Sequence, residues 1–224
     1  MVISNNLVDQ SWSAGEFGSG VWVGVQPDST LGSETVTVTC NKVTNAKGDG
    51  IYVLSSSTHA QPKGIVIIRN TVSNCPGNGI RLLQVTEDAR PIEDVVVSYN
   101  TVDNNGGAGI VLDGVSRGQV SANTVTNHKL HSGIALSDSS KITVAGNVVR
   151  NSRDEGIGII SSNDNMVIGN TVSGNTWGIV LVEGSSRNII MSNRARGNTQ
   201  YDLFDDGTGT GNVWKLNSYD TKNW

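Results

Sequence analysis

Asn100-Thr101-Val102 begins a stretch of the chain in which one short signature returns at a nearly constant interval. The later copies are Asn123-Thr124-Val125, Asn147-Val148-Val149, Asn170-Thr171-Val172 and Asn193-Arg194-Ala195. The intervals are 123−100 = 23, 147−123 = 24, 170−147 = 23 and 193−170 = 23 residues. A period of this size is typical of a solenoid, in which each repeat is one structural unit that stacks on the next.

Each repeat also contains short segments in which every second residue is apolar. One segment follows a glycine, and the others lie just before and just after the Asn; the glycine copies are Gly109-Ile110, Gly133-Ile134, Gly156-Ile157 and Gly178-Ile179. Alternation at period 2 indicates strands. A strand-plus-helix unit needs about 30 residues, which is more than one repeat provides. The sequence therefore predicts an all-β parallel β-helix of about eight coils, each with three short strands.

The repeated Asn has a structural interpretation. Equivalent side chains in stacked coils lie about 4.8 Å apart, so each amide can donate to the amide carbonyl of the next coil. Such a ladder would satisfy polar groups that are costly to bury without a partner. We therefore expect the column to stabilise the fold rather than to bind a ligand; it is formed by Asn6, Asn41, Asn70, Asn100, Asn123, Asn147, Asn170 and Asn193.

The composition limits the partners. The net charge is −4 and there is no basic block, so nothing favours nucleic acid or an anionic membrane as a partner. No apolar run is long enough to span a bilayer.

Met1 leads directly into a repeat, with no signal peptide or N-terminal cap, which predicts a piece of a larger protein or a lost leader. Cys40 and Cys75 fall at different corners of the coil, so neither a disulfide nor a metal site is expected.

The repeat argues for one domain over residues 1–224. The early coils are longer, and their extra residues form the loops 26–35, 55–64 and 84–94 between the Gly-Ile strand and the next strand. Insertions at equivalent positions protrude on one side, which is often the binding face. The aromatic-rich segment 201–224 is predicted to cap the last coil. Its Asp205-Asp206-Gly207 turn is a candidate calcium ligand, although a plain turn is favoured because calcium-loop spacing is absent.

The repeat pattern resembles that of a known protein family. Asn-Thr-Val-x-x-Asn followed by Gly-Ile-x-Leu resembles the right-handed parallel β-helix repeat family, which is pectate-lyase-like and includes NosD-type and carbohydrate-binding or sugar-hydrolysis domains. The ending Tyr201-Asp202-Leu203 with Gly209-Thr210-Gly211-Asn212-Val213-Trp214 is similar to endings in that family. The resemblance implies polysaccharide lyases, glycoside hydrolases, alginate-type epimerases or non-catalytic modules. The Asp-Pro-His signature of the epimerases and the Arg-His-Gly motif of one lyase group are missing.

Candidate catalytic residues lie in the turn between the Asn strand and the Gly-Ile strand. A lyase acting on an anionic sugar needs a base and a cation that neutralises the substrate carboxylate. Lys129 or His131 is the candidate base, and Arg153, which is 153−129 = 24 residues further on, is the candidate cation, with Glu155 beside it. The alternative interpretation is a solvated turn with a salt bridge between Lys129 and Glu155.

Candidate substrate-binding residues point outward beside the Gly-Ile strands. Aromatic faces there suit sugar rings because they combine apolar area with a polar handle. Packing against the long loops is the rival explanation. The candidates are Trp22, Tyr52 and Arg81 in this outward column, together with Asp49, Asn78 and Trp177 in the preceding turns.

We therefore expect a carbohydrate-active β-helix that binds an extended polysaccharide, with lyase or epimerase chemistry as its enzymatic form. The alternative is a non-catalytic binding or structural module of a larger secreted or cell-surface protein.

A hydrolase would need two carboxylates, for which Asp154 or Glu155 with Asp49 are the candidates. Copper delivery is the weakest hypothesis, because the chain has three His and no Met cluster. Apolar outward residues such as Val66 and Met166 indicate contact with a second copy or with other domains of a parent protein.

Overall fold

The computed structural model describes residues 1–9, 18–25 and 35–224, and these residues form strands and no α-helix. They contain no apolar helix long enough to cross a membrane. Apart from Thr35, the predicted loop 26–35 lies outside the described residues.

The strands form three sheets. Sheet A contains β1 (Val2–Ser4), β4 (Val36–Thr39), β7 (Ile65–Ile68), β10 (Ile92–Ser98), β13 (Val115–Ser121), β16 (Ser140–Ala145), β19 (Met166–Ile168), β22 (Ile189–Met191) and β25 (Val213–Lys215). Sheet B contains β2 (Leu7–Asp9), β5 (Lys42–Thr44), β8 (Thr71–Ser73), β11 (Thr101–Asp103), β14 (Thr124–Thr126), β17 (Val148–Arg150), β20 (Thr171–Ser173) and β23 (Arg194–Ala195). Sheet C contains β3 (Val21–Val25), β6 (Ile51–Ser55), β9 (Ile80–Gln84), β12 (Ile110–Asp113), β15 (Ile134–Ser137), β18 (Glu155–Ile160), β21 (Trp177–Val182) and β24 (Leu203–Asp205).

The chain visits the sheets in the fixed order A, B, C, and every strand pairs in parallel with its equivalent one coil away. Val102 in β11, for example, pairs with Val72 on one side and Val125 on the other. We number the coils by these triplets, so that coil 1 is β1–β3 and coil 8 is β22–β24. The prediction of an all-β parallel β-helix is confirmed, with the three strands where period 2 indicated them.

The core fills the inside of the coil with one apolar column from sheet B and two each from sheets A and C, the second sheet A column being formed by Val36, Ile65, Val95 and Ile142. The sheet C columns consist of the residues after each glycine and two positions later, such as Ile110 and Leu112, both fully buried. From Gly20 to Gly156, the glycines of this repeat leave room for the valine of the next coil; a Cβ at Gly109, for example, would collide with Val125. The Gly-Ile signature therefore reports close packing at this corner.

The Asn column forms a continuous ladder. Between Asn6 and Asn193, each side chain donates from Nδ2 to Oδ1 of the next Asn at 2.9–3.0 Å, and Asn217 extends the ladder by one step at 3.0 Å. The residue before each of these Asn side chains has a positive φ, which turns the chain from sheet A into sheet B; examples are Cys40 (55°), Tyr99 (57°) and Gly169 (66°). The two cysteines are free, as expected.

The two described long loops lie against each other on one side of the coil. Ser55 Oγ donates to the carbonyl of Arg90 at 2.7 Å, and the Arg90 amide donates to the carbonyl of Ser57 at 2.7 Å. The second loop is shorter than the predicted 84–94, because β10 begins at Ile92 and Glu93 pairs with Lys63. The loops thus form one wall beside sheet C.

The last residues close over the final coil. The rings of Trp214 and Trp224 lie 4.8 Å apart, and Lys222 Nζ lies 5.2 Å from the Trp224 ring. In the turn proposed for calcium, Asp206 Oδ1 accepts hydrogen bonds from the Thr208 amide and hydroxyl, and Asp205 Oδ2 accepts one from Trp214 Nε1 at 3.0 Å. These carboxylates therefore hold the turn and the cap together.

Candidate functional site

The outer face of sheet C forms a shallow surface that we call the sheet C groove. Its floor is made of small outward residues, Val111, Ala135 and Gly158, which pair in register in coils 4 to 6. Larger side chains stand at either end: Trp22 and Arg81 in coils 1 and 3, and Trp177 with its aromatic neighbours in coils 7 and 8. A low floor between raised ends leaves room for an extended ligand along the coil axis.

Trp22, Tyr52 and Arg81 occupy adjacent positions in register, as predicted. The ring of Trp22 lies against Gly24, since a Cβ on that glycine would collide with the ring, and Trp22 keeps 40% of its surface exposed. Tyr52 is fully buried, with the guanidinium of Arg81 lying 5.5 Å from the centre of its ring. The expectation that Tyr52 offers its face to a sugar is therefore wrong, because neighbouring atoms cover that face; Tyr52 supports Arg81 instead.

Asp49 and Asn78 join this end of the groove through hydrogen bonds. Asp49 Oδ1 accepts bonds from the amide and the Nδ2 of Asn78 at 2.5 and 3.0 Å. Its other oxygen lies 3.9 Å from Nη1 of Arg81. Asn78 Oδ1 in turn accepts from the Ala108 amide at 2.9 Å. This network fixes the orientation of the Arg81 side chain and leaves part of its guanidinium exposed to solvent at the edge of the groove.

The other end of the groove is aromatic. Trp177 stacks on Tyr201 with ring centres 5.8 Å apart and meets Phe204 edge-on at 4.9 Å. All three side chains are half-buried, so each keeps part of a ring face in contact with solvent. Such faces can pack on the apolar side of a sugar ring.

A cleft of about 510 Å³ opens where the strands of sheet C end. Leu83–Glu87 form one wall, and Asp113, Gly114 and Asp138 form the other. Burial raises the pKa of Asp113 above its ordinary value, the charge of Asp138 raises it further, and Arg81 lowers it in part. Sequence reasoning missed both carboxylates. The available signal was partial: Asp113 directly follows the Ile-x-Leu of its strand, and Asp138 comes one residue later in its own coil, near the same edge of sheet C.

The predicted catalytic turn is less organised. Lys129, His131 and Arg153 are exposed, and Arg153 lies one coil from the other two through its amide, which donates to the His128 carbonyl at 3.0 Å. Within the described chain, no hydrogen bond or ion pair joins these three side chains to one another. Glu155 accepts from Ser132 Oγ at 2.6 Å, and within the described chain no ion pair joins it to Lys129, so the predicted Lys129–Glu155 salt bridge is wrong.

The hydrolase pair suggested by the sequence is also separated. Asp49 belongs to coil 2 and Glu155 to coil 6, which at about 4.8 Å per coil places them roughly 19 Å apart. Asp154 lies in the same distant coil. No sugar bond can lie between such carboxylates and be acted on by both.

Solved structures with the same architecture are parallel β-helix proteins. The D317A mutant of the periplasmic alginate epimerase AlgG matches with a TM-score of 0.72 and 18% identity, over 91% of this chain and 48% of that one. The A-module of the mannuronan C-5 epimerase AlgE4 from Azotobacter vinelandii matches with a TM-score of 0.60 and 13% identity, over 99% and 80%. The enzymatically active domain of tailspike protein 2 of bacteriophage CBA120 matches with a TM-score of 0.60 and 15% identity, over 86% and 30%.

These matches define the class of the molecule as a right-handed parallel β-helix protein. The chain spans about half the length of the AlgG chains it matches. Residues 63–223 match the family described as periplasmic copper-binding protein (NosD). The chain belongs to the NosD family. No curated protein sequence matches it.

The family description names copper, which proteins bind through clustered His, Cys or Met side chains. Among the residues that the structure describes, no three His, Cys, Asp or Glu side chains lie close enough to share an ion. Burial raises the pKa of the Cys75 thiol to about 11, which disfavours the thiolate that metals bind. His128 lies inside the coil, away from the exposed His131. The described residues therefore do not fit a copper site.

Proposed function

We propose that this chain is a carbohydrate-active β-helix protein that binds an extended polysaccharide along the sheet C groove. The observation that carries the proposal is the arrangement of this one face, where a floor of small residues runs between Trp22 and Trp177. A stack of equivalent coils offers equivalent contacts at a constant spacing, which suits a polymer of equivalent units. The titles of the similar structures name enzymes that act on alginate and mannuronan, and this supports the same ligand class by analogy of fold.

The two ends of the groove supply different contacts. Trp22 and Trp177 offer ring faces for the apolar sides of sugars. Arg81 offers guanidinium N–H donors to hydroxyl or carboxylate oxygens, and Asp49 keeps it in place. An anionic polysaccharide would use both kinds of contact. We propose a location outside the cytoplasm, in the periplasm or outside the cell. The matched family is described as periplasmic, and AlgG is named as a periplasmic epimerase.

Binding is tested by titrating the chain with alginate, polygalacturonate, galactomannan and levan in a calorimeter. We expect at least one polymer to bind, and Trp22→Ala to weaken that binding roughly tenfold, a loss of about 1.4 kcal/mol. The control is Tyr99→Ala, which removes an aromatic side chain that is 66% exposed on another side of the coil. No binding by any polymer, or an equal loss in the control, would contradict the proposal.

Lyase or epimerase activity is the finer form of this proposal. Lys129 or His131 would take the proton next to the substrate carboxylate, and Arg153 one coil away would neutralise that carboxylate. Lyase action is measured as the absorbance of an unsaturated uronate, and epimerase action as a change in the sugar signals by NMR. Loss of either activity in Lys129→Ala and Arg153→Ala would support this form. Unchanged activity in both variants would remove these residues from the mechanism.

A non-catalytic binding module is the second candidate. The observation that favours it is that, in the described structure, no hydrogen bond or ion pair joins the side chains of Lys129, His131 and Arg153 to one another. This candidate predicts polymer binding that depends on Trp22 with no change in the polymer after prolonged incubation. Any turnover that is lost on substitution of a groove residue would exclude it.

A further inference from the structure

The cleft at the end of the sheet C groove has a rigid wall. Gln84 Nε2 donates to the carbonyls of Thr86 and Ala89 at 3.0 and 2.7 Å, and the Val85 amide donates to the Ser55 carbonyl at 2.9 Å. The loop is thus tied both to itself and to the previous coil. It stands opposite Asp113 and encloses a volume that can hold one or two sugar units.

Asp113 and Asp138 differ from the carboxylates that hold the fold together. Asp49, Asp202 and Asp206 each accept hydrogen bonds, which commit their oxygens to the fold. Asp113 and Asp138 have no hydrogen-bond or ion-pair partner within the described chain, although both line the cleft. Carboxylates without partners in a cleft are available to a ligand.

The surroundings of the two carboxyls separate their chemical roles. Asp113 is half-buried at the end of β12, whereas Asp138 is exposed in the turn after β15. Burial and the neighbouring negative charge favour the protonated form of Asp113, and Arg81 is the nearby cation that opposes this. Glu87 is the third acidic side chain in the cleft and lies on the loop wall. Acid–base cleavage of a glycosidic bond uses two carboxyls whose environments give them different proton affinities.

We propose that Asp113 and Asp138 are the acid and the base of a glycosidic-bond hydrolysis carried out on a polysaccharide in this cleft. The inference rests on the proposed function, because the groove must first deliver the polymer. The bond between the anomeric carbon and the linking oxygen breaks, and Asp113 gives its proton to the departing oxygen. The oxygen of a water molecule forms the new bond to the anomeric carbon, while Asp138 takes a proton from that water. No oxidant, metal or anionic substituent on the sugar is needed.

The test uses the full chain and the same four polymers, in water enriched in ¹⁸O. Hydrolysis produces new reducing ends that carry the label, without absorbance from an unsaturated product. We expect Asp113→Asn to lower the rate by at least about a hundredfold and Asp138→Asn to lower it by at least about tenfold, both with unchanged polymer affinity. The control is Glu183→Gln, an exposed carboxylate two coils beyond Asp138 that contacts Ser161; its rate should match that of the parent chain.

The outcomes separate this inference from the proposed function. Binding without labelled reducing ends overturns the hydrolysis and leaves the groove assignment in place. Absence of binding overturns the groove assignment itself. Hydrolysis that survives both substitutions, or that Glu183→Gln reduces as strongly, removes Asp113 and Asp138 from the chemistry. Thermal unfolding of each variant shows whether lost activity reflects a lost fold.

Discussion

Asn123 donates two hydrogen bonds to one oxygen of Asn147, from its backbone amide at 2.9 Å and from Nδ2 at 3.0 Å. Asn147 repeats the arrangement with Asn170, and its Nδ2 also donates to the carbonyl of Val120 at 2.9 Å. A single side chain therefore satisfies backbone groups at the sharp corner between sheets A and B. The corner can be buried because this side chain is present in every coil.

Removing one member of the ladder should be strongly destabilising. At a fully buried site, Asn147→Ala removes the acceptor of the Asn123 amide and of one Nδ2 hydrogen of Asn123, and it removes the Nδ2 donor to the Val120 carbonyl. At about 1–3 kcal/mol for each orphaned group, we expect a loss of roughly 3–5 kcal/mol in the free energy of unfolding, measured in urea. Asn6→Ala, at the exposed end of the ladder, should cost less than about 1 kcal/mol. Equal losses would mean that the ladder is not the source of the stability.

A second polar column, inside the corner between sheets B and C, is interrupted at His128. Neither ring nitrogen makes a hydrogen bond of normal geometry with a described residue, and the same holds for Asn105 Nδ2 and Ser152 Oγ in the coils on either side. Burial lowers the pKa of His128 to about 4, against smaller raising effects from the Val102 backbone and the charge of Asp103. Protonation of this ring is therefore resisted by the folded state.

We expect His128 to make the fold sensitive to acid. The unfolded chain binds a proton near pH 6.5 and the folded chain only near pH 4, so stability falls as the pH drops through this window. A shift of this size corresponds to about 3 kcal/mol. In urea unfolding at several pH values, His128→Asn should lack this part of the decline. His131→Asn, which changes an exposed ring, should retain it, and identical pH profiles for all three proteins would refute the explanation.

The left-handed position before each ladder Asn allows a reciprocal test in adjacent coils. Gly146 has a φ of 62° with open space around its Cβ position, while the exposed Ala122 occupies the equivalent site with a φ of 53°. Gly146→Ala should lower the free energy of unfolding by about 1 kcal/mol, because a side chain strains this conformation. Ala122→Gly should raise it by about 0.5 kcal/mol, since the relief of strain exceeds the entropy that glycine loses. Thermal unfolding of both variants measures the two signs, and shifts in the same direction would exclude a backbone origin.

Asp113 and Asp202 should respond to pH in opposite ways. The pKa of Asp113 is raised, so its ionisation opposes folding; Asp113→Asn should be more stable than the parent at neutral pH, and the advantage should vanish below pH 3.8. Burial tends to raise the pKa of Asp202, but hydrogen bonds from Asn198, Asp220 and Thr221 outweigh this and lower it. Asp202→Asn should therefore lose stability at neutral pH, and the loss should shrink as the pH falls through the lowered pKa. The free energy of unfolding of both variants, measured in urea between about pH 3 and pH 7, distinguishes the two directions.

Much of the groove followed from the spacing of the repeats. A constant period brings residues one coil apart into contact, which is why the register of Trp22, Tyr52 and Arg81 was predicted correctly. The exposure of each ring did not follow from spacing. Tyr52 is buried while Trp22 is not, and this difference depends on how neighbouring side chains cover the column.

The carboxylates of the cleft escaped prediction for a related reason. In the strand register Asp113 pairs with Ser137, so Asp138 is one residue out of step and does not align with Asp113 in the repeat. A left-handed turn at Asp138, with a φ of 45°, and the loop opposite bring both side chains to the cleft. Neither effect leaves a periodic trace in the sequence.

The sequence by itself determined the coil, its three strands and its Asn ladder, because a repeating local pattern has the same physical consequence in every copy. Only the tertiary structure decided which polar side chains remain without partners, since that depends on loops and turns that do not repeat. The pattern that specifies the fold is therefore repeated in every coil. The cleft depends on a single contact region, where residues 83–87 lie opposite Asp113 and Asp138.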